Sequence, residues 1–260
     1  MTGEPIIRVT GAAQRFGTRT IFRDVSFTVS AGEIFVILGG SGCGKSTLMK
    51  QMIGLLLPTA GEIEIAGHII TGPDPEVALE TVQRKYGVMF QSGALYGSMT
   101  LLENVMLPLE MFTNLPPEGR EAVAQMKLAL VGLGDAAQLM PAEISGGMAR
   151  RAGIARAMAL DPPLLFLDEP SAGLDPITSA GLDRLILELR QDLGATFVVV
   201  THELASILAI ADRCIMLDRD AYAEAGGMIA EGDPRTLRDT STNPTVRAFF
   251  HREVPATEPA

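Results

Sequence analysis

The stretch Glu33-Ile-Phe-Val-Ile-Leu-Gly-Gly-Ser-Gly-Cys-Gly-Lys-Ser-Thr47 decides the fold. It opens as EIFVIL over 33–38, whose continuous apolar run from Ile34 is the mark of a strand buried on both faces. It continues as GGSGCGKS over Gly39–Ser46, which satisfies the pattern G-x-x-x-x-G-K-[ST]. A chance match in a chain of 260 residues has odds of about one in a hundred. The context lowers those odds, because an apolar strand precedes the pattern and a helical stretch from Lys45 to about Leu57 follows it. Such glycines let the backbone wrap so that successive N–H groups face phosphate oxygens. The helix N-terminus adds its partial positive charge. Gly39, Gly40, Ser41, Gly42, Cys43, Gly44, Lys45, Ser46 and Thr47 are therefore the candidate phosphate-binding set, with Lys45 reaching the outer phosphates and Ser46 a Mg²⁺. Cys43 reads as a small filler without a redox role. The plain alternative, a glycine-rich turn with an exposed lysine, does not account for the flanking strand and helix.

Working outward, Leu164–Leu167 (LLFL) and Thr196–Val200 (TFVVV) read as further buried strands, separated by a helix near 177–193. The first runs into Asp168-Glu169 and the second into Thr201-His202. Ligands in open α/β sheets bind beyond the carboxyl ends of the strands. Asp168 is placed to hold Mg²⁺, and Glu169 to act as general base toward a water. An apolar strand ending in an acidic turn is common alone; its pairing with the phosphate cradle gives it meaning.

Strand-like runs also occur at 6–10, 25–29, 63–65, 87–90 and 213–217, whereas Met99–Leu139 has helical periodicity broken at Pro116-Pro117. Strands alternating with helices predict a mainly parallel sheet, with a helical insertion between its strand clusters. From Asp233 the chain is rich in Pro, Thr and charge, and its last residues, EVPATEPA, read as disordered. The composition, 47% hydrophobic and 20% charged, suits a folded domain, and the net charge of −10 argues against a nucleic-acid partner. Two cysteines, Cys43 and Cys214, form no disulfide framework or metal-ligand spacing. MTGEPIIRVT lacks the features of a signal peptide, and the uncharged run between Lys85 and Glu103 is too polar for a membrane span. No Asn-Lys pair occurs, which excludes a guanine-reading N-K-x-D motif.

Ile144-Ser145-Gly146-Gly147-Met148, about twenty residues before Asp168, resembles the LSGGQ signature of ABC transporter ATPases. Around it the other motifs fall in that family's order across residues 6–232. Phe16 matches the aromatic that stacks on adenine, and Gln91 the Q-loop glutamine that touches Mg²⁺ or water. Ser171–Asp175 matches the D-loop, and His202 the switch histidine. The resemblance implies the α/β P-loop NTPase fold (RecA-like, mainly parallel sheet) with an N-terminal antiparallel β subdomain. It also implies an inserted α-helical subdomain at about 95–160, an ATPase unit over 1–232 and a C-terminal extension over 233–260. It further implies ATP and Mg²⁺ as ligands, with Glu169, His202, Gln91 and Lys45 in catalysis.

Ser145, Gly146 and Gly147 would close over ATP held by a second copy of the chain. Independently, Ser145 is a good N-cap for an Ala-rich helix, and the glycines permit close approach to an anion there. Met148 departs from the usual glutamine, which removes a polar side chain near the partner's nucleotide. SGGM followed by Ala-Arg-Arg is similar to the subfamily serving MCE-type lipid transporters, the Mla and toluene-tolerance systems. That likeness implies transmembrane permease subunits, an MCE substrate-binding protein and a small STAS-type partner at the cytoplasmic side of a bacterial inner membrane. A small-solute importer ATPase would share every catalytic motif. Leu95, Tyr96, Met99, Leu101 and Leu102 read equally as a groove for a coupling helix or as core. Val246–Phe250 (VRAFF) is a candidate anchor for a partner, while Arg150 and Arg151 belong to the subfamily-like run and are left unassigned, a solvated helix face being the plain alternative.

Overall fold

The computed structural model describes residues 5–222 and 225–253. Chain order is β1 (Pro5–Phe16), β2 (Arg19–Ser30), β3 (Ile34–Gly39), α1 (Lys45–Met52), β4 (Ala60–Ile65), β5 (His68–Ile69), α2 (Pro75–Val82) and β6 (Tyr86–Met89). Three helices follow: α3 (Leu101–Phe112), α4 (Pro117–Leu130) and α5 (Gly146–Ala157). Then come β7 (Leu164–Asp168), α6 (Pro176–Leu193), β8 (Thr196–Val200), α7 (Leu204–Ile210), β9 (Arg213–Tyr222), β10 (Ala225–Gly232), α8 (Pro234–Thr240) and α9 (Pro244–His251).

The strands form one sheet in the order β5-β4-β1-β2-β10-β9-β3-β8-β7-β6. From β9 through β6 every pairing is parallel, whereas β1, β2, β4 and β5 pair antiparallel with one another and β2 joins β10 in parallel. Alternation along the central strands explains their unbroken apolar sequences. Ile34, Val36 and Leu38 enter one core with α3–α7, while Phe35 and Ile37 enter another with α1 and the antiparallel strands. β7 splits likewise, Leu165 and Leu167 to the first core and Leu164 and Phe166 to the second. Each such side chain, fully withdrawn from water, contributes about 1.5–3 kcal/mol.

Where the structure departs from the sequence reading, long-range pairing is the reason. β1 and β2 run twelve residues each rather than five, because a bulged register carries their polar ends along one hairpin. β10, with its three glycines, carries no strand signal of its own; β9 recruits it by antiparallel pairing. α1 ends at Met52, before the expected Leu57. The C-terminal segment is ordered as α8 and α9, started by Asp233 and Asn243, whose side chains accept N–H bonds of the first turns. Of the expected disordered residues, all but Glu253 lie outside the described ones.

The VRAFF anchor needs correction. α9 buries Val246 and Phe250 in the chain's own first core, so they are not free to hold a partner. Leu101 and Leu102 are core, Leu95 packs against it, and Tyr96 is exposed.

Candidate functional site

β3 ends at Gly39, whose φ of +148° leads the chain away from the sheet. A Cβ there would overlap the Leu217 carbonyl of neighbouring β9 and come within 2.8 Å of Cys43 Sγ. Only glycine permits that close approach. α1 starts on Gly44 (φ 104°), which supplies no side-chain cap, and its first turn holds no acidic residue. The N–H groups of that turn therefore remain available to an anion. Three other helices differ in having side-chain caps, Thr100 on α3, Ser145 on α5 and Asp175 on α6. Lys45, 8% exposed, donates from Nζ to the carbonyls of Gly39 (2.9 Å) and Gly40 (3.0 Å). The loop thus aims the ammonium along its own inner wall. Cys43 turns inward, and burial pushes its thiol pKa up, as expected of a filler.

β7 delivers the acidic pair. Burial, and then the Glu169 charge, push the Asp168 carboxyl above its ordinary range; Lys50, Lys45 and a hydrogen bond from Ser46 pull it back. Glu169 adopts φ +48° while its N–H donates 2.8 Å to the Val200 carbonyl of β8. A non-glycine residue in this region costs about 1–3 kcal/mol, and such strain gathers at functional positions. Its Oε1 lies 2.9 Å from Nδ1 of His202, which follows the same strand β8. Asp168 Oδ1 and Glu169 Oε2 are buried without a hydrogen-bond partner. An orphaned buried acceptor costs about 1–3 kcal/mol, so these oxygens fit a site completed by a cation and a polar ligand. The described residues hold no group of three or more His, Cys, Asp or Glu placed for a metal. Asp168 with the hydroxyl of Ser46 suits Mg²⁺, which keeps few protein ligands and binds along with phosphate.

One cleft of about 550 Å³ is lined by Gly39, Gly40, Ser41, Gly42, Lys45, Ser46, Gln91, Glu169 and His202. Residues from four separate sequence regions thus share one wall. Phe249 of α9 lines it as well, a contact that no local sequence signal carries. A smaller depression of about 280 Å³ joins Gly42, Gly44, Lys45, Ser46 and Thr47 to Arg19 and Ile21 of β2. Phe16 is half exposed and pairs with Arg19 across the hairpin, but lines neither space.

Ser145, Gly146 and Gly147 also lie outside both spaces. Ser145 and Gly146 are exposed at the start of α5, and a Cβ on Gly147 would come within 2.5 Å of Thr178. Met148 packs its side chain against the first core. Arg150 is not a solvated residue: it is 8% exposed and donates 3.0 Å to the Ala172 carbonyl, joining α5 to the segment after Glu169. Arg151 reaches the Val131 carbonyl at 3.4 Å. Neither contact can be read from helical periodicity, because the acceptors are distant backbone carbonyls.

Comparison with known proteins agrees with this geometry. The family profile described as ABC transporter matches residues 22–172. The probable ribonucleotide transport ATP-binding protein mkl of Mycobacterium tuberculosis is 41% identical over 245 residues, 94% of this chain. The chain spans 66% of the length of that mycobacterial relative. The intermembrane phospholipid transport system ATP-binding protein MlaF of Escherichia coli is 45% identical over 222 residues, covering 84% of this chain and 82% of MlaF. A dimeric ATP-binding cassette in a post-hydrolysis state, bound to ADP and Pi, superposes with a TM-score of 0.76 at 30% identity, covering 87% of this chain and 98% of that one. The strand-loop-helix cradle, the acidic pair beyond β7 and these likenesses lead to one conclusion: the chain is an ATP-binding cassette and belongs to the ABC transporter family.

Proposed function

We propose that two copies of this chain hydrolyse ATP between them and drive lipid movement through a membrane permease. The observation that supports it best is a separation. Lys45, Ser46, Gln91, Glu169 and His202 share one cleft, whereas the signature residues Ser145–Gly147 lie outside it at another helix end, where Ser145 and Gly146 are exposed. A surface so placed serves a nucleotide held by a second copy. The dimeric form of the related cassette supports the same reading. Residues 1–232 are read as the ATPase unit, 95–160 as its helical subdomain and 233–260 as an extension.

In the chemistry, the amides from Gly39 onward and Lys45 hold the phosphate tail, with Arg19 and Phe16 toward the base. Water attacks the γ-phosphorus while the bond to the β,γ-bridging oxygen breaks, giving ADP and Pi. Glu169 accepts the water's proton, and its strained backbone holds the carboxylate at the strand end. His202 orients that carboxylate through Nδ1 and leaves Nε2 toward the cleft. Ser46, Gln91 and Asp168 would hold Mg²⁺, which would supply neutralisation of the phosphate charge.

The lipid cargo is supported by the likeness to MlaF over most of that protein's length and by the run SGGMARR. Transmembrane permease subunits, an MCE-type substrate-binding protein and a small STAS-type protein are the partners of this reading, at the cytoplasmic side of a bacterial inner membrane. Among the described residues no helix is long and apolar enough to cross a membrane. The mycobacterial relatives' name supports a second reading, a polar nucleotide-like cargo. Purification of the native membrane complex followed by mass spectrometry of bound small molecules separates the two. Phospholipid retained by the complex and released on ATP turnover fits the proposal; a lipid-free complex that moves a ribonucleotide overturns it.

A further inference from the structure

The segment leaving Gln91 has an unusual backbone. Ser92, Gly93 and Ala94 adopt φ of 65°, 78° and 46°, although two of them are not glycine. Left-handed conformations at such residues persist only where surrounding structure over-determines them. The carbonyls of Gly93 and Ala94 both accept from Arg156, Nη2 at 3.0 Å and Nη1 at 2.9 Å. The guanidinium also lies 5.9 Å from the centre of the Tyr96 ring. No carboxylate pairs with Arg156 among the described residues, so its planar fork is committed to these two carbonyls. Beside it the two backbones touch directly. A Cβ on Gly93 would come within 2.5 Å of the Ala149 carbonyl, and one on Gly153 within 2.9 Å of Gly93 Cα. Both Ala149 and Gly153 belong to α5, whose other end presents Ser145–Gly147 about 15 Å away at 1.5 Å per residue.

We propose that Arg156 is a positioning residue that locks the Gln91 loop to α5, so that engagement of Gln91 with nucleotide in its own cleft moves the Ser145–Gly147 end that closes on the nucleotide of the second copy. The inference rests on the two-copy reading above. A guanidinium is suited to the task because its rigid fork fixes two successive carbonyls at once, which a point charge cannot. Arg150, tied to Ala172, anchors the same helix to the strand end that carries Glu169. α5 is therefore held at two places bordering one cleft while its N-terminus serves the other.

The test uses the full chain carrying Glu169→Gln, with Arg156→Ala or Arg156→Lys added. Two quantities are measured: ATP affinity of the separate subunit and the ATP-dependent dimerisation constant by sedimentation. The expected result is affinity within about twofold of the parent and dimerisation weakened by about tenfold or more in Arg156→Ala, with Arg156→Lys intermediate. Unchanged dimerisation overturns the inference, and so does an equal loss of both quantities, which marks general damage. If Arg156→Ala does not fold, Arg156→Lys decides: weakened dimerisation at retained affinity supports the lock, and parental dimerisation overturns it. A Glu169→Gln parent that fails to dimerise with ATP overturns the two-copy reading itself, an outcome distinct from failure of the lock.

Discussion

Nδ1 of His202 and Oε1 of Glu169 stand 2.9 Å apart, joining the residue beyond β7 to the residue beyond β8 across the sheet's working edge. The glutamate side chain is 13% exposed and the histidine 55%, so the carboxylate is sheltered while the imidazole reaches the cleft. Glu169→Gln is expected to retain ATP binding and to lower kcat by about 10²–10⁴-fold, the usual worth of a general base. His202→Ala is expected to lower kcat in the same direction with little change in affinity. Steady-state phosphate release with a nucleotide titration checks both, and undiminished turnover by Glu169→Gln would remove the base assignment.

Lys45 makes charge-assisted hydrogen bonds that phosphate oxygens would share. Lys45→Ala is expected to weaken ATP binding by about 10–100-fold, corresponding to about 1.5–3 kcal/mol for a bond to a charged group. Isothermal titration with a non-hydrolysable analogue reads this directly.

Gly39→Ala tests the cradle's backbone rather than its charge. The added methyl meets the Leu217 carbonyl and a φ of +148°, so both stability and affinity are expected to fall. A loss of about 1–3 kcal/mol in chemical denaturation is the expected scale for a strained position. A variant as stable and as tight-binding as the parent would contradict the close approach to β9.

Cys214 is buried in the first core, and burial raises its thiol pKa from 9.0 to about 12, with Asp233 and Glu231 adding to the shift. The folded state then keeps a proton that the unfolded chain releases more readily. This contribution to stability is whole below pH 9 and is lost as the pH rises toward about 12. Native protein at pH 8 is expected to resist thiol reagents at Cys214, and denaturant is expected to expose it. Cys214→Ala should flatten the alkaline loss of stability between pH 9 and 12. Mass-resolved alkylation and pH-dependent melting check the two statements.

The residues legible in the sequence were those whose neighbours in the chain carry the message. Gly39–Ser46 sits between a strand and a helix it helps to build, and Asp168-Glu169 follows directly from an apolar run. Phe249, Arg19 and Arg156 were not legible. Phe249 reaches the cleft because α8 packs on α7 and α9 packs on α8, and Arg19 because β2 passes beside the cradle. Arg156 meets its carbonyl partners more than sixty residues upstream. Side chains whose partners are backbone carbonyls leave no pairing signature, since every residue owns a carbonyl. β10 was silent for a related reason, as its strand state is imposed by β9 and not by its own composition.

α1 begins on a glycine that cannot cap it, so in the proposed site the polyphosphate chain would supply what Thr100, Ser145 or Asp175 supplies to other helices. Substrate then acts as a structural member: at a hundredfold excess over its dissociation constant it adds about 2.7 kcal/mol to folding stability. Starvation of the energy supply would loosen the very element that consumes it, and heat tolerance would track the nucleotide pool.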